Sequence, residues 1–281
     1  VTENIILSDS VQAMLDDFMK TVRCRDKMRS VGLDFRSSLL LYGPPGCGKT
    51  SVARYVASEL GLPIVTARFD TLISSLLGST AKNIHRIFEY AKKQPCVLFL
   101  DEFDAIAKAR DDQHELGELK RVINSLLQNI DAMPADHVLI AATNHAELLD
   151  DAIWRRFVQT VEVGLPGQEE LFELISVFSE PFTSELISDP AKRRSFAKSA
   201  EGLSPSDLKT IFDRAKVKSV LGKEKCLSVG SLLSGVYQMK VQDKSDQGYV
   251  RFLSDAGLPQ LSISKETGIG LRKVKSYLSE K

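Results

Sequence analysis

The first residues able to do chemistry begin at Gly43. The stretch Gly43-Pro44-Pro45-Gly46-Cys47-Gly48-Lys49-Thr50 has the spacing G-x-x-x-x-G-K-[ST] and follows directly on the apolar run Leu39-Leu40-Leu41-Tyr42. A strand that feeds such a loop into a helix lets consecutive backbone N–H groups turn inward, and the helix adds the positive end of its dipole. A polyphosphate fits that cradle. Pro45, Gly46, Cys47 and Gly48 would wrap the phosphates, Lys49 would reach the β- and γ-phosphates, Thr50 would coordinate Mg²⁺, and Ser51 would follow in the first turn of the helix. A plain glycine-rich corner would account for the glycines but has no use for Lys and Thr at those offsets.

Further along, Val97-Leu98-Phe99-Leu100 reads as a buried strand ending in Asp101 and Glu102, whose side chains period-two geometry sends to opposite sides. Adjacent acids can then take different roles. Asp101 would hold the Mg²⁺ shell opposite Thr50, through a water, while Glu102 would act as the general base on the attacking water. A solvated strand end with two surface acids is the alternative. Another apolar run, 138–143, ends in Asn144, whose amide could bond both the lytic water and the γ-phosphate, although Asn at a strand end is also a common turn former. Then come Arg155 and Arg156, with no evident route to the phosphates of their own chain. A guanidinium from a neighbouring subunit could stabilise the transferring phosphoryl group, which implies a ring with sites shared between protomers. The alternative is a surface pair salt-bridged to Asp150 and Asp151.

These residues need a scaffold that brings strand ends together. Short β-rich runs at 37–43, 63–69, 96–102, 137–144 and 158–163 alternate with helical patterns, which implies a parallel sheet covered by helices. Ahead of them, Val11, Met14, Leu15, Phe18, Met19 and Val22 fall at near-helical spacing and predict a lead-in helix over 11–28. After the turn signal Leu165-Pro166-Gly167 only helices are expected, the best marked opening at Ser204-Pro205 with Asp207 completing a capping box and running to about Gly222. The expected organisation is a helical lead-in at 1–36, an α/β nucleotide domain at 37–166, an all-helical domain at 167–243 and a small closing segment at 244–281. In that last segment two short helical patterns flank Gly268, in the manner of a helix-turn-helix. Arg272, Lys273 and Lys275 would face outward, where they could meet DNA phosphates; basic residues near a helix C-terminus equally suit its dipole, and such hairpins also dock proteins.

Composition adds bounds rather than a function. The 281 residues carry 37 basic and 37 acidic side chains, so net charge argues neither for nor against a polyanionic partner. Four cysteines without a C-x-x-C pair and four histidines without H-E-x-x-H suggest neither a disulfide frame nor a zinc site, which fits a cytoplasmic setting. No apolar run approaches a membrane span.

Taken in order and spacing, GPPGCGKT, VLFLDEFD, LIAATN and WRRF resemble the AAA+ ATPases, and most closely the AAA clade of protein-remodelling members, over roughly residues 5 to 240. The resemblance implies a P-loop NTPase α/β fold with a five-stranded parallel sheet in three layers, a helical lid, ATP and Mg²⁺ as cofactors, and a homo-oligomeric ring, a hexamer, around a central pore. It implies that Gly202-Leu203-Ser204-Pro205-Ser206-Asp207-Leu208 lies near the adenine. The clade's pore loop carries aromatic-hydrophobic-Gly where this chain has Leu76, Leu77 and Gly78. An aliphatic there lacks the large rigid face of an aromatic anchor, so strong processive unfolding is not implied. The expected activity is ATP hydrolysis coupled to remodelling of a protein substrate or partner. The alternatives are a nucleotide-dependent DNA-bound switch or loader and a regulator of a separately encoded protease.

Overall fold

The computed structural model describes residues 5–33, 35–74, 77–105, 116–241 and 245–279, with side chains left undescribed at 73–74, 77–79 and 116–120. Leu76 of the expected pore loop lies outside the described residues, and Leu77 and Gly78 are described by backbone alone, at the start of a helix. The chain divides into two compact units, Val1–Gly164 and Leu165–Lys281.

In the first unit, β1 (Ser38–Tyr42), β2 (Ile64–Arg68), β3 (Val97–Asp101), β4 (Val138–Thr143) and β5 (Gln159–Glu162) form one sheet in the order β2-β3-β4-β1-β5, every pairing parallel. Each strand stands where the alternating pattern predicts it, shorter by one residue at either end. The interior strands are apolar without a break because helices cover both faces. The period of two then sorts their side chains between two cores. Leu40, Leu98, Leu100, Leu139 and Ala141 pack with Ile84 and Phe88 of α5 (Leu77–Ala91) and with Val122, Leu126 and Ile130 of α6 (Leu116–Asp131). Their strand neighbours Leu39, Leu41, Val97, Phe99, Val138, Ile140 and Ala142 pack with α1 (Asp9–Arg23) and α3 (Lys49–Leu60). This gives the three layers expected of the P-loop NTPase fold.

The lead-in helix differs from expectation. Its stripe of Leu15, Phe18, Met19 and Val22 is buried as predicted, but α1 stops at Arg23 and a separate α2 (Arg25–Ser30) follows. Cys24 breaks it, with φ −94° and ψ 3° and its N–H donating back to Lys20 O and Thr21 O. The cause is legible afterwards: the apolar stripe ends at Val22, and α2 buries no residue that would hold a continuous rod against the sheet. Two short helices, α4 (Phe69–Ser74) and α7 (Asp151–Trp154), complete this unit's α-helices among the described residues.

The second unit comprises α8 (Gln168–Ser179), α9 (Glu185–Ser188), α10 (Pro190–Ala200), α11 (Pro205–Leu221), α12 (Val229–Lys240), α13 (Asp246–Asp255), α14 (Gln260–Thr267) and α15 (Leu271–Ser279). The reading of this part as helices only is corrected by one detail, a parallel pair of two-residue strands, β6 (Thr183–Ser184) and β7 (Cys226–Leu227). Runs that short carry no period for a sequence reading to detect. The capping box of α11 forms as expected, with Asp207 N donating to Ser204 Oγ at 3.2 Å and Ser204 N donating to Asp207 Oδ2 at 3.1 Å. Of the closing helices, α13 and α14 pack onto α12, and α15 packs on α13 and α14. Tyr249 of α13 stacks on Tyr237 of α12 with ring centroids 4.8 Å apart. Gly268, at φ 74°, turns the chain between α14 and α15, and Ile263 and Val274 are buried beside it. On α15, Arg272 and Lys275 are exposed, while Lys273 lies 3.7 Å from Asp246 of α13.

Candidate active site

The glycines of the 43–50 loop are placed for reasons the geometry states. Gly43 has φ 137°, and a Cβ there would stand 2.3 Å from the backbone oxygen of Val163, just past β5. Only glycine lets β1 leave the sheet that close to its neighbour. Gly48, at φ 96°, is the N-cap of α3. Lys49 then opens the helix with its side chain folded back, Nζ donating to Gly43 O at 2.7 Å and Pro44 O at 2.8 Å. Burial pushes its ammonium below the usual lysine range, against the opposing pull of Cys47, Asp101, Asp104 and Glu102. A cation held by neutral carbonyls in a partly desolvated loop gains most from an arriving phosphate. Cys47 is buried within the loop, its thiol 3.9 Å from Pro45 O.

Because β1, β3 and β4 are neighbours in register, their C-terminal ends deliver the other groups to the same edge of the sheet. Thr50 Oγ1 donates to Asp101 Oδ2 at 3.1 Å, and the backbone N–H of Glu102 donates to Asp101 Oδ1 at 3.0 Å. A hydroxyl and a carboxylate oxygen side by side suit Mg²⁺, which takes one or two protein oxygens and fills its shell with phosphates and water. Among the described residues no group of three or more His, Cys, Asp or Glu could hold an ion without such help. Glu102 has φ 55°, one of two non-glycine residues described in the left-handed region, and its carboxylate has no hydrogen-bond or ion-pair partner among the described residues. Such a backbone costs about 1–3 kcal/mol and persists where the surroundings enforce it, commonly at reactive positions.

The side-chain amide of Asn144, likewise without a partner among the described residues, follows β4. What holds Asn144 is a residue the sequence reading missed. Asp104, only 1% exposed, accepts from Asn144 N at 3.3 Å and from Thr143 Oγ1 at 3.2 Å, while Phe103 N donates to Ala142 O at 2.9 Å. The turn after β3 is thereby tied to the tip of β4. The one available signal was a third acid in Asp101-Glu102-Phe103-Asp104. Asp104→Ala should lower kcat for ATP hydrolysis about 10- to 100-fold, as displacements near 1 Å do, and leave the ATP KM within about threefold. Asp104→Asn, whose amide oxygen still accepts, should recover most of the loss; steady-state kinetics on the pair checks this.

The two arginines part company. The carbonyl of Arg156 accepts from Ser38 Oγ at 2.8 Å, at the N-terminal end of β1, the end away from the phosphate loop. Its guanidinium donates to Ala152 O at 2.9 Å and to Asp131 Oδ2 at 3.4 Å. Of the acids offered as partners by the sequence, Asp150 caps α7 by accepting from Ile153 N at 3.0 Å. Arg155 is exposed and its side chain has no partner among the described residues.

Parallel strands in this order, with a phosphate loop leaving the interior strand β1 into a helix, define the first unit as a P-loop nucleoside triphosphatase domain. Residues 39–165 match the family described as ATPase family associated with various cellular activities (AAA), and the unit that holds them belongs to that family. An AAA family ATPase of Sinorhizobium fredii, y4kL, is 54% identical over 154 residues, 55% of this chain and 47% of that protein. The proteasome-activating nucleotidase of Pyrococcus horikoshii is 35% identical over 224 residues, 76% of this chain and 55% of the nucleotidase. The mouse nuclear valosin-containing protein-like is 32% identical over 196 residues, 68% of this chain and 23% of its own length. The chain spans about half the length of the first two of these relatives. No described helix is long and apolar enough to cross a membrane.

Proposed function

We propose that this chain assembles into a homo-oligomeric ring, a hexamer, in which Mg-ATP hydrolysis drives remodelling or translocation of a protein substrate or partner. In this reading Lys49 and Thr50 bind the triphosphate and metal, Asp101 orders the metal's shell, Glu102 activates water, and Asn144 senses the γ-phosphate. Arg155 acts on the site of the adjoining copy. The observation that carries the reading is the pairing of a cis site whose base and sensor side chains are unengaged among the described residues with an exposed arginine that likewise has no partner among them. The similarity to proteasome-activating nucleotidases supports a protein partner and gives the second reading, a ring that gates a separately encoded protease.

Stimulation separates the two. Under the lead reading, an unfolded polypeptide raises steady-state ATP turnover severalfold, and Leu76→Ala removes that gain while leaving basal turnover intact. Turnover indifferent to unfolded polypeptide, together with capture of a peptidase by the ATP-loaded ring, would favour the gate.

A further inference from the structure

A cavity of about 260 Å³ opens at the other end of the same sheet, beside the N-terminal ends of β1 and β4. Its wall is apolar in part, from Phe35, Met133 and Leu139, but its charge is one-sided: Arg29, Arg36 and Arg156 face a single lining carboxylate, Asp131. Asp131 is shared, taking Arg36 Nη1 at 2.6 Å and Arg156 Nη2 at 3.4 Å. Arg29 has no side-chain partner among the described residues. The lining histidine is occupied, His137 lying with Nδ1 2.8 Å from Asp136 Oδ1 and Nε2 2.9 Å from Ala91 O. Ser37, 5% exposed, also lines the space, and its hydroxyl is buried with no hydrogen-bond partner among the described residues. A buried hydroxyl left so carries a cost that a polar guest removes.

Donors outnumber acceptors on this wall. Each guanidinium offers five N–H groups in a planar fork, which matches the oxygens of a phosphate-type anion and which one carboxylate cannot exhaust three times over. The phosphate loop leaves the opposite end of β1, roughly 15 Å away at strand rise, so one ion cannot serve both places. We propose that this cavity binds a phosphate-type oxyanion, separate from the nucleotide's phosphates, carried either as inorganic phosphate or as the phosphoryl group of a small metabolite. The anion lies between Arg29 and Arg36, accepts from the Ser37 hydroxyl, and competes with Asp131 for Arg36.

The test is calorimetric titration of inorganic phosphate, and in parallel of glycerol phosphate, into the full chain with a non-hydrolysable ATP analogue and Mg²⁺ saturating the loop. Saturable binding of one equivalent per chain is expected, weakened about 5- to 10-fold by Arg29→Ala as expected of one charge-assisted contact, and strengthened by Asp131→Asn. Lys49→Ala should leave it unchanged. Arg29 is exposed and supports no other described group, so its variant remains informative should Asp131→Asn fail to fold. Whichever of the two ligands binds more tightly identifies the source. Binding that never saturates, that is indifferent to Arg29→Ala, or that disappears with Lys49→Ala overturns the proposal.

Discussion

Glu102→Gln is expected to lower ATP hydrolysis by about 10²–10⁴-fold, the range supplied by a positioned general base, while ATP binding stays within about threefold of wild type. The substitution preserves shape and the ability to hydrogen-bond a water, and removes the basicity that takes the proton. The carboxylate has no hydrogen bond or ion pair among the described residues to lose, the smallest of the acidic pulls on the Lys49 ammonium goes with it, and the strained backbone at φ 55° is set by the turn rather than by the side chain. The protein should therefore hold ATP without consuming it, and an assembly that requires ATP should persist. Single-turnover hydrolysis of labelled ATP and assembly mass with and without nucleotide check the two halves. Hydrolysis at the wild-type rate would remove Glu102 from the role of base and leave Asp101 as the nearest acid, already committed to Thr50.

The parts of this site that a sequence can announce are those made by residues adjacent in the chain. The loop needs glycine at Gly43 for a contact with Val163, but the run GPPGCGKT declares itself without knowledge of that contact. Strand ends are legible for a similar reason, since Asp101 and Asn144 each close an uninterrupted apolar run. What escaped detection depends on partners far along the chain. Asp104 looks like any acid past a strand end, and its burial comes from Thr143 and Asn144, roughly forty positions on, brought beside it by the β3 and β4 pairing. The sequence offers Arg156, together with Arg155, to a neighbouring subunit's site or else to Asp150 and Asp151, whereas its guanidinium donates to Asp131 at the end of α6. The break at Cys24 was missed because helical period fades gradually, whereas a helix ends at one residue.

Arg155 carries the other large effect. Arg155→Ala alone should lower kcat by about 10³–10⁵-fold, the contribution of a transition-state guanidinium supplied by a neighbour. Its side chain supports nothing among the described residues of its own chain, so the loss should come without loss of stability. Arg156→Ala is a poorer probe because it also releases Ala152 and Asp131. The decisive measurement mixes two dead proteins. In rings formed from equal amounts of Arg155→Ala and Glu102→Gln chains, about a quarter of the seams pair an intact Glu102 on one side with an intact Arg155 on the other, as random cyclic assembly requires. Activity should reappear at those seams, rising with the mixing ratio to a maximum near equality. If Arg155 served its own protomer, every chain in the mixture would lack one essential group, and no ratio would restore turnover.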